Sequence, residues 1–283
     1  MNQGNTVRTG WVTAAALAVG LAAATTTPAV AQDDPGAVLD RIRDSGVLRV
    51  PVMIGEEPGY IRDPDTGAWD GFYIAYAEGI AGVLDVDLEL VETTWGNLAA
   101  DFQAGRLDLA LGLNPNPNRG LVVDYLSVPL FTDAWAIVAT DAFEASTWAD
   151  LDSADVTLVA QAGSTMQVVA EAITPNATLT IVETRPLGVL ELQAGRADAM
   201  LLAIFDAIRV QGEIGGQIIV PEPMLRNPAT IGVAREPGNA GYINWLTNWV
   251  NQQRSLGLAQ GTLREYFEAH GVDMSALPPN FSF

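Results

Sequence analysis

The chain has 283 residues, no cysteine and a single histidine, so disulfide frameworks, zinc sites and Ser–His triads have almost no raw material. Its 34 acidic residues against 14 basic ones, all of them Arg, give a formal net charge of −20, which argues against nucleic acid and anionic membrane surfaces as partners. Stability must come from core burial, and about 250 residues are enough for one large or two medium domains.

The N-terminus reads as a secretory signal. Arg8 precedes an apolar run over residues 11–24, and Ala29-Val30-Ala31 is a small-x-small cleavage site. The mature chain is therefore expected to start near Gln32, with residues 1–31 removed. The apolar run is too short and Ala-rich for a good membrane span, and no Cys follows it to carry a lipid. The expected location is the periplasm, reached through a cleavable signal peptide.

Strands and helices then alternate. Residues 47–54 read as a strand, and residues 71–81 as a helix with Phe72, Ala75, Tyr76 and Ile80 on one face. Asp63 to Asp70 has a faint calcium-loop look, but its glycine falls at the fifth position and no Glu stands at the twelfth, so a hairpin turn is expected. Residues 86–91 alternate as a strand, residues 95–104 form a helix that Gly105 can cap, and residues 109–113 form a short apolar strand. This βαβαβ order predicts a mostly parallel sheet with helices on both faces. A Pro- and Asn-rich turn, residues 114–118, follows and ends on Arg119. The end of a buried strand is where open α/β sheets place ligands, and a guanidinium grips a carboxylate through two parallel hydrogen bonds.

The pattern restarts at residue 156. Strands are expected at 156–160, 179–182 and 199–203, and helices at about 165–173 and 186–194. Ser164 or Thr165 is placed to cap the first of these helices. The hexapeptide Gln-Ala-Gly-Arg-x-Asp occurs twice, at 103–108 and 193–198, each time before an apolar strand. Two similar lobes facing a shared cleft are expected: lobe one from residues 32–135 and 230–283, lobe two from residues 136–229. Residues 134–139 and 229–234 are the two crossings, which together make a hinge. Residues 240–267 read as one or two amphipathic helices packed on lobe one.

This order resembles the "G-x-x-D, strand, T-P-E-R, v-d-F-S-x-P-Y" signature of periplasmic solute-binding proteins, family 3, whose members mostly bind amino acids. The likeness runs from about Leu39 to Phe267. It rests on Gly71-Phe72, Trp95, Gly105 to Asp108, Arg119, Pro129, Gly163-Ser164-Thr165, Gly195 to Ala199 and the C-terminal helix. It implies an α/β fold of two lobes, periplasmic-binding-protein-like type II, each a mostly parallel sheet flanked by helices. By the same resemblance Arg119 corresponds to the ligand-carboxylate arginine, and Asn114 to a Ser or Thr beside it. Asn116 replaces the Thr of "T-P-E-R". Ser164 and Thr165 fall in the "G-S-T" turn, where a helix N-terminus favours the same anion. Trp95 and Tyr60 match aromatic positions of the family, and Glu57 a pocket position. Read without the family, Arg119 is an ordinary surface arginine, Trp95 a core residue, Thr165 a helix cap, and Glu56 and Glu57 a solvated acidic pair.

Three departures matter. The interval from Asp108 to Arg119 is one residue short, which shifts the register of residues 111–114. Tyr73 and Ala75 stand in place of the "G-F-D-v-D" carboxylates. Ala203 stands where amino-acid binders carry an Asp for the ligand's α-ammonium, leaving Asp206 or Glu57 as substitutes. The expectation is a non-catalytic, cofactor-free and metal-free monomer. It captures a small carboxylate, an organic acid or atypical amino-acid-like compound, and delivers it to the membrane permease of an ABC importer. Two alternatives are an enzyme resembling cyclohexadienyl dehydratase on the same scaffold, with Glu57 or Glu183 as proton donor, and a ligand-loaded partner of a membrane sensor.

Overall fold

The computed structural model describes residues 34–270, with Met1 and Gly4. The signal-peptide reading and the C-terminal residues 271–283 lie outside the described residues. Among the described residues no helix is long and apolar enough to cross a membrane.

The first lobe begins with α1 (Ala37–Ser45), which buries Val38 and Ile42 and ends on the left-handed Gly46. It leads into β1 (Val47–Val52). The two-residue strands β2 (Ile61–Arg62) and β3 (Trp69–Asp70) pair antiparallel around the expected hairpin turn, where Asp63 accepts from Asp65 N and Thr66 N. Next come α2 (Phe72–Leu84) and β4 (Asp87–Glu92), the latter pairing parallel with β1 from Val47↔Asp87 to Val52↔Glu92. α3 (Leu98–Gln103) starts three residues later than its sequence pattern implied, because Thr94 O accepts from both Asn97 N and Leu98 N. That turn leaves Trp95 outside the helix.

β5 (Ala110–Leu113) is fully buried. A short 3₁₀ turn at Arg119–Leu121 and β6 (Val123–Tyr125) precede the first crossing strand, β7 (Phe131–Ala139). The second lobe holds α4 (Trp148–Leu151), β8 (Thr157–Gln161), α5 (Thr165–Ile173), β9 (Thr178–Val182), α6 (Arg185–Gln193), β10 (Ala199–Ala203), α7 (Ile204–Ile214) and β11 (Gln217–Ile219). β12 (Arg226–Ala234) returns, and α8 (Ala240–Ser255) and α9 (Leu258–Ala269) close the fold.

The large sheet has the order β5-β12-β7-β10-β8-β9, with β6 on β12 and β11 on β7. β8 is parallel to β9 and β10, as expected, but β7 runs antiparallel to β10, and β12 antiparallel to β5. Each lobe is therefore mixed, because the strand arriving from the other lobe enters against the local direction. β7 and β12 pair with each other from Phe131↔Ala229 to Ala134↔Arg226, and this ribbon is the two-stranded crossing.

The hexapeptide repeat has one structural meaning. Asp108 accepts from Arg49 N at 2.9 Å while its own N–H donates to Arg49 O; Asp198 does the same with Thr157, at 2.7 Å from Thr157 N. In each lobe the Asp thus ties its strand to the neighbouring one. Arg106 pairs with Asp101 and Arg196 with Glu191, five residues back in both cases.

Candidate functional site

A cavity of about 70 Å³ lies between the lobes. It has room for several waters or a small polar solute. The first lobe supplies Glu56, Pro58, Tyr73, Trp95, Asn114 and Arg119; the second supplies Ser164, Thr165, Arg185, Ala203 and Asp206. Asp133 and Asn227 of the crossing ribbon form its floor.

Arg119 is set by the turn before it. Asn116 Oδ1 accepts from Asn118 N at 2.9 Å and Arg119 N at 3.3 Å, which folds the chain back after β5. Arg119 is 7 % exposed, and its guanidinium lies over the Trp95 ring at 5.8 Å and donates to Gly163 O of the other lobe at 2.8 Å. Burial pulls its pKa below the usual arginine value, and the Tyr125 phenol opposes the shift. Among the described residues no carboxylate pairs with it. A desolvated cation without a counter-ion favours an incoming anion.

Opposite it, α5 begins. Ser164 caps this helix, accepting from Gln167 N, and its hydroxyl donates to Gln161 O at 2.6 Å. The Thr165 hydroxyl is buried and has no hydrogen-bond partner among the described residues, so it is available to a ligand. Asn114 donates to Pro228 O at 3.0 Å, tying the end of β5 to the second crossing.

Three acids line the cavity, Glu56, Asp133 and Asp206; each has a partner, but among the described residues the buried Glu56 Oε1 has none. Arg185, at the start of α6, reaches Glu56 at 2.5 Å and Asp206 at 3.0 Å. Burial raises the pKa of Glu56 and of Asp206, while Arg185 pulls both down. Burial would lower Arg185 itself, but Asp206 and Glu56 outweigh that and hold it above its usual value. Asp133 is 3 % exposed; its carboxyl group accepts from Ala134 N at 2.6 Å, and burial pushes its pKa well above the aspartate range.

Of the residues expected from the sequence, Arg119, Asn114, Trp95, Ser164, Thr165 and Ala203 line the cavity. Three do not. Glu57 faces outward to Arg209 at 3.1 Å, because its neighbour Glu56 takes the inward direction. Glu56 is thus a buried cavity residue and not half of a solvated pair. Tyr60 is wholly buried against Tyr73, ring centroids 5.2 Å apart, and belongs to the core. Asn116 is spent on the turn that aims Arg119. Glu183 is exposed and away from the cavity, which removes it as a proton donor there. Arg185 and Asp133 escaped the sequence reading. The only signal for Arg185 was its place directly before Pro186, a residue favoured in the first turn of a helix. Among the described residues, no group of His, Cys, Asp and Glu could hold a metal ion.

Known proteins share this fold over most of the chain. A cyclohexadienyl dehydratase of Pseudomonas aeruginosa is 26 % identical over 241 residues, covering 82 % of this chain and 89 % of that protein. The structure of an ancestral amino-acid-binding protein, a precursor of cyclohexadienyl dehydratase, matches with a TM-score of 0.72 at 26 % identity, covering 81 % of this chain and 99 % of the other. An amino acid ABC transporter substrate-binding protein from Streptococcus pneumoniae, bound to L-arginine, shares the fold with a TM-score of 0.73 at 20 % identity, over 83 % and 99 % of the two chains. The profile of one family matches residues 48–269, from β1 to the end of α9 and so across both lobes and the cleft, and this chain belongs to that family: the bacterial extracellular solute-binding proteins, family 3.

Proposed function

We propose that the protein captures a small carboxylate-containing solute in the interlobe cavity, in the periplasm, and presents it to the permease of an ABC importer. The observation that carries this reading is Arg119, a buried cation that has no carboxylate partner among the described residues, facing the N-terminus of α5 and the Thr165 hydroxyl, likewise unpartnered among them. An anion there gains a bidentate partner, helix N–H groups and a hydroxyl. It contacts both lobes, so it favours the state in which they meet. Mass spectrometry of ligand released from the purified protein, followed by a thermal-shift panel of small carboxylates, tests the reading. A panel in which no carboxylate raises the melting temperature would sink it.

A second reading has its own support. Asp133 lines the same cavity as Arg119, and burial raises its pKa, the direction that favours the proton a general acid must hold in an acid-assisted elimination. The cyclohexadienyl dehydratase relative makes prephenate the substrate to try. Turnover that disappears in Asp133→Asn would establish an enzyme; unchanged prephenate after prolonged incubation would leave the binding reading alone.

A further inference from the structure

We propose that Glu56 is a specificity-determining residue: its Oε1 receives a protonated N–H group of the ligand, so the solute is a zwitterion anchored at Arg119 by its carboxylate and at Glu56 by its cation. The inference rests on the carboxylate reading above and narrows it.

The polar groups of the cavity fall into two sets. One donates, the Arg119 guanidinium and the Thr165 hydroxyl. The other accepts, and Glu56 is its open member. The Glu56 side chain is 5 % exposed, and its Oε2 accepts from Arg185 at 2.5 Å. Its Oε1 is buried and has no hydrogen-bond partner among the described residues. Trp95 and Gln161 face the same carboxyl group and favour its charged form, yet no hydrogen bond of normal geometry reaches Oε1. A buried acceptor left open carries its full desolvation cost, which a ligand N–H removes. The other places for a ligand cation are closed. Asp133 is turned to the backbone N–H groups of Ala134, Ile204 and Phe205, and the edge of β10 contributes only the methyl of Ala203.

Charge points the same way. Glu56 and Asp206 share the single guanidinium of Arg185, at 2.5 Å and 3.0 Å. The next cation, Arg209, is opposed by Glu57 at 3.1 Å and by Glu213 at 3.3 Å. Tyr60 and Tyr73, packed beside the cluster, are held neutral by burial. With both acids ionised, the cluster is short of one positive charge. Burial raises the pKa of Glu56 and of Asp206, so the empty cluster draws a proton, and a ligand cation takes that proton's place. An acid without nitrogen satisfies Arg119 and leaves the Glu56 oxygen open.

The test uses matched pairs that differ only in the ammonium group: L-alanine against propionate, 4-aminobutyrate against butyrate, and L-phenylalanine against 3-phenylpropionate. Calorimetry on the wild-type protein and on Glu56→Gln gives the affinity ratio within each pair. In the wild type at least one zwitterion should bind tenfold or more tightly than its acid. In Glu56→Gln, where Arg185 keeps Asp206, that ratio should move tenfold or more toward the acid. If Glu56→Gln does not fold, Glu56→Asp, whose shorter arm withdraws the oxygen, is measured in the same way. A wild-type protein that binds the acids as tightly as the zwitterions, or more tightly, overturns the proposal and leaves the carboxylate reading standing. A preference for a zwitterion that is unchanged in the variants overturns the role of Glu56. No binding of any of the six compounds to the wild type overturns both the proposal and the carboxylate reading.

Discussion

At the scale of residues, the site depends on how each buried charge is balanced. Among the described residues Arg119 has no carboxylate partner, whereas Arg185 has two. Removing Arg119 should therefore leave the fold intact and abolish ligand capture. Arg119→Ala is expected to lose about 2–5 kcal/mol of binding free energy. Arg119→Lys should recover only part of it, because an ammonium lacks the planar fork. Calorimetry with the solute released from the wild-type protein measures both, and binding within threefold of wild type in Arg119→Ala would refute the assignment. Asp133 gives a prediction about pH. Its pKa is raised in the folded protein, so the folded state holds the proton more tightly than the unfolded chain. That contribution to stability is complete below the ordinary aspartate pKa and is lost as pH rises through the folded value. Glu56 and Asp206 shift in the same direction. Melting temperatures should fall as pH rises above the ordinary carboxylate pKa, by about 2–4 °C for each kcal/mol of linkage. Asp133→Asn, neutral at every pH, should flatten that slope; an unchanged slope would show that Asp133 does not carry it.

At the scale of elements, the turn from β8 into α5 brings the lobes together. Gly163 has φ +68°, and a Cβ built on it would lie 2.5 Å from Gly96 Cα and 2.8 Å from Gly96 N, backbone of the opposite lobe. Gly163→Ala should thus hold the lobes apart next to Arg119. Gly195 offers a matched control, with φ +65° and open space where its Cβ would stand. Both alanine variants carry a left-handed backbone penalty of about 1–2 kcal/mol. Only Gly163→Ala should also weaken ligand binding, by about tenfold, equivalent to about 1.4 kcal/mol. Denaturant titration and calorimetry on the two variants separate the backbone cost from the clash, and equal affinities would show that Gly163 does not limit closure.

At the scale of the whole molecule, polar contacts that cross the cleft include Arg119 to Gly163 O at 2.8 Å, Arg185 to Glu56 at 2.5 Å and to Glu57 O at 3.5 Å, and Arg209 to Glu57 at 3.1 Å. The last is partly exposed and worth little. The β7–β12 ribbon connects the lobes, and it is where a hinge motion that opens the cavity is expected to bend. Small-angle scattering should show a lower radius of gyration when the carboxylate solute is added, and a smaller change in Arg119→Ala. An identical profile at saturation would argue against hinge closure.

Much of this protein follows from sequence alone, because the relevant physics is local. Hydrophobic periodicity located most strands and helices, and the doubled hexapeptide announced two equivalent units before either was seen. The turn ending at Arg119 was visible as a run of Pro and Asn after a buried strand, and the cap of α5 as Gly-Ser-Thr. α7 was missed because it follows β10 without a turn residue, Ala203 itself serving as its N-cap. Other features depend on chain segments far apart in sequence. Whether Glu56 or Glu57 points inward was settled by Arg185, 129 residues from Glu56, and Trp95 became a wall of the site because the chain turns before α3. The mixed direction of the strands followed from the route of the two crossings. Charge compensation between distant residues leaves no periodic trace in a sequence, so the resident cation at Arg185 became visible only once the lobes were packed together.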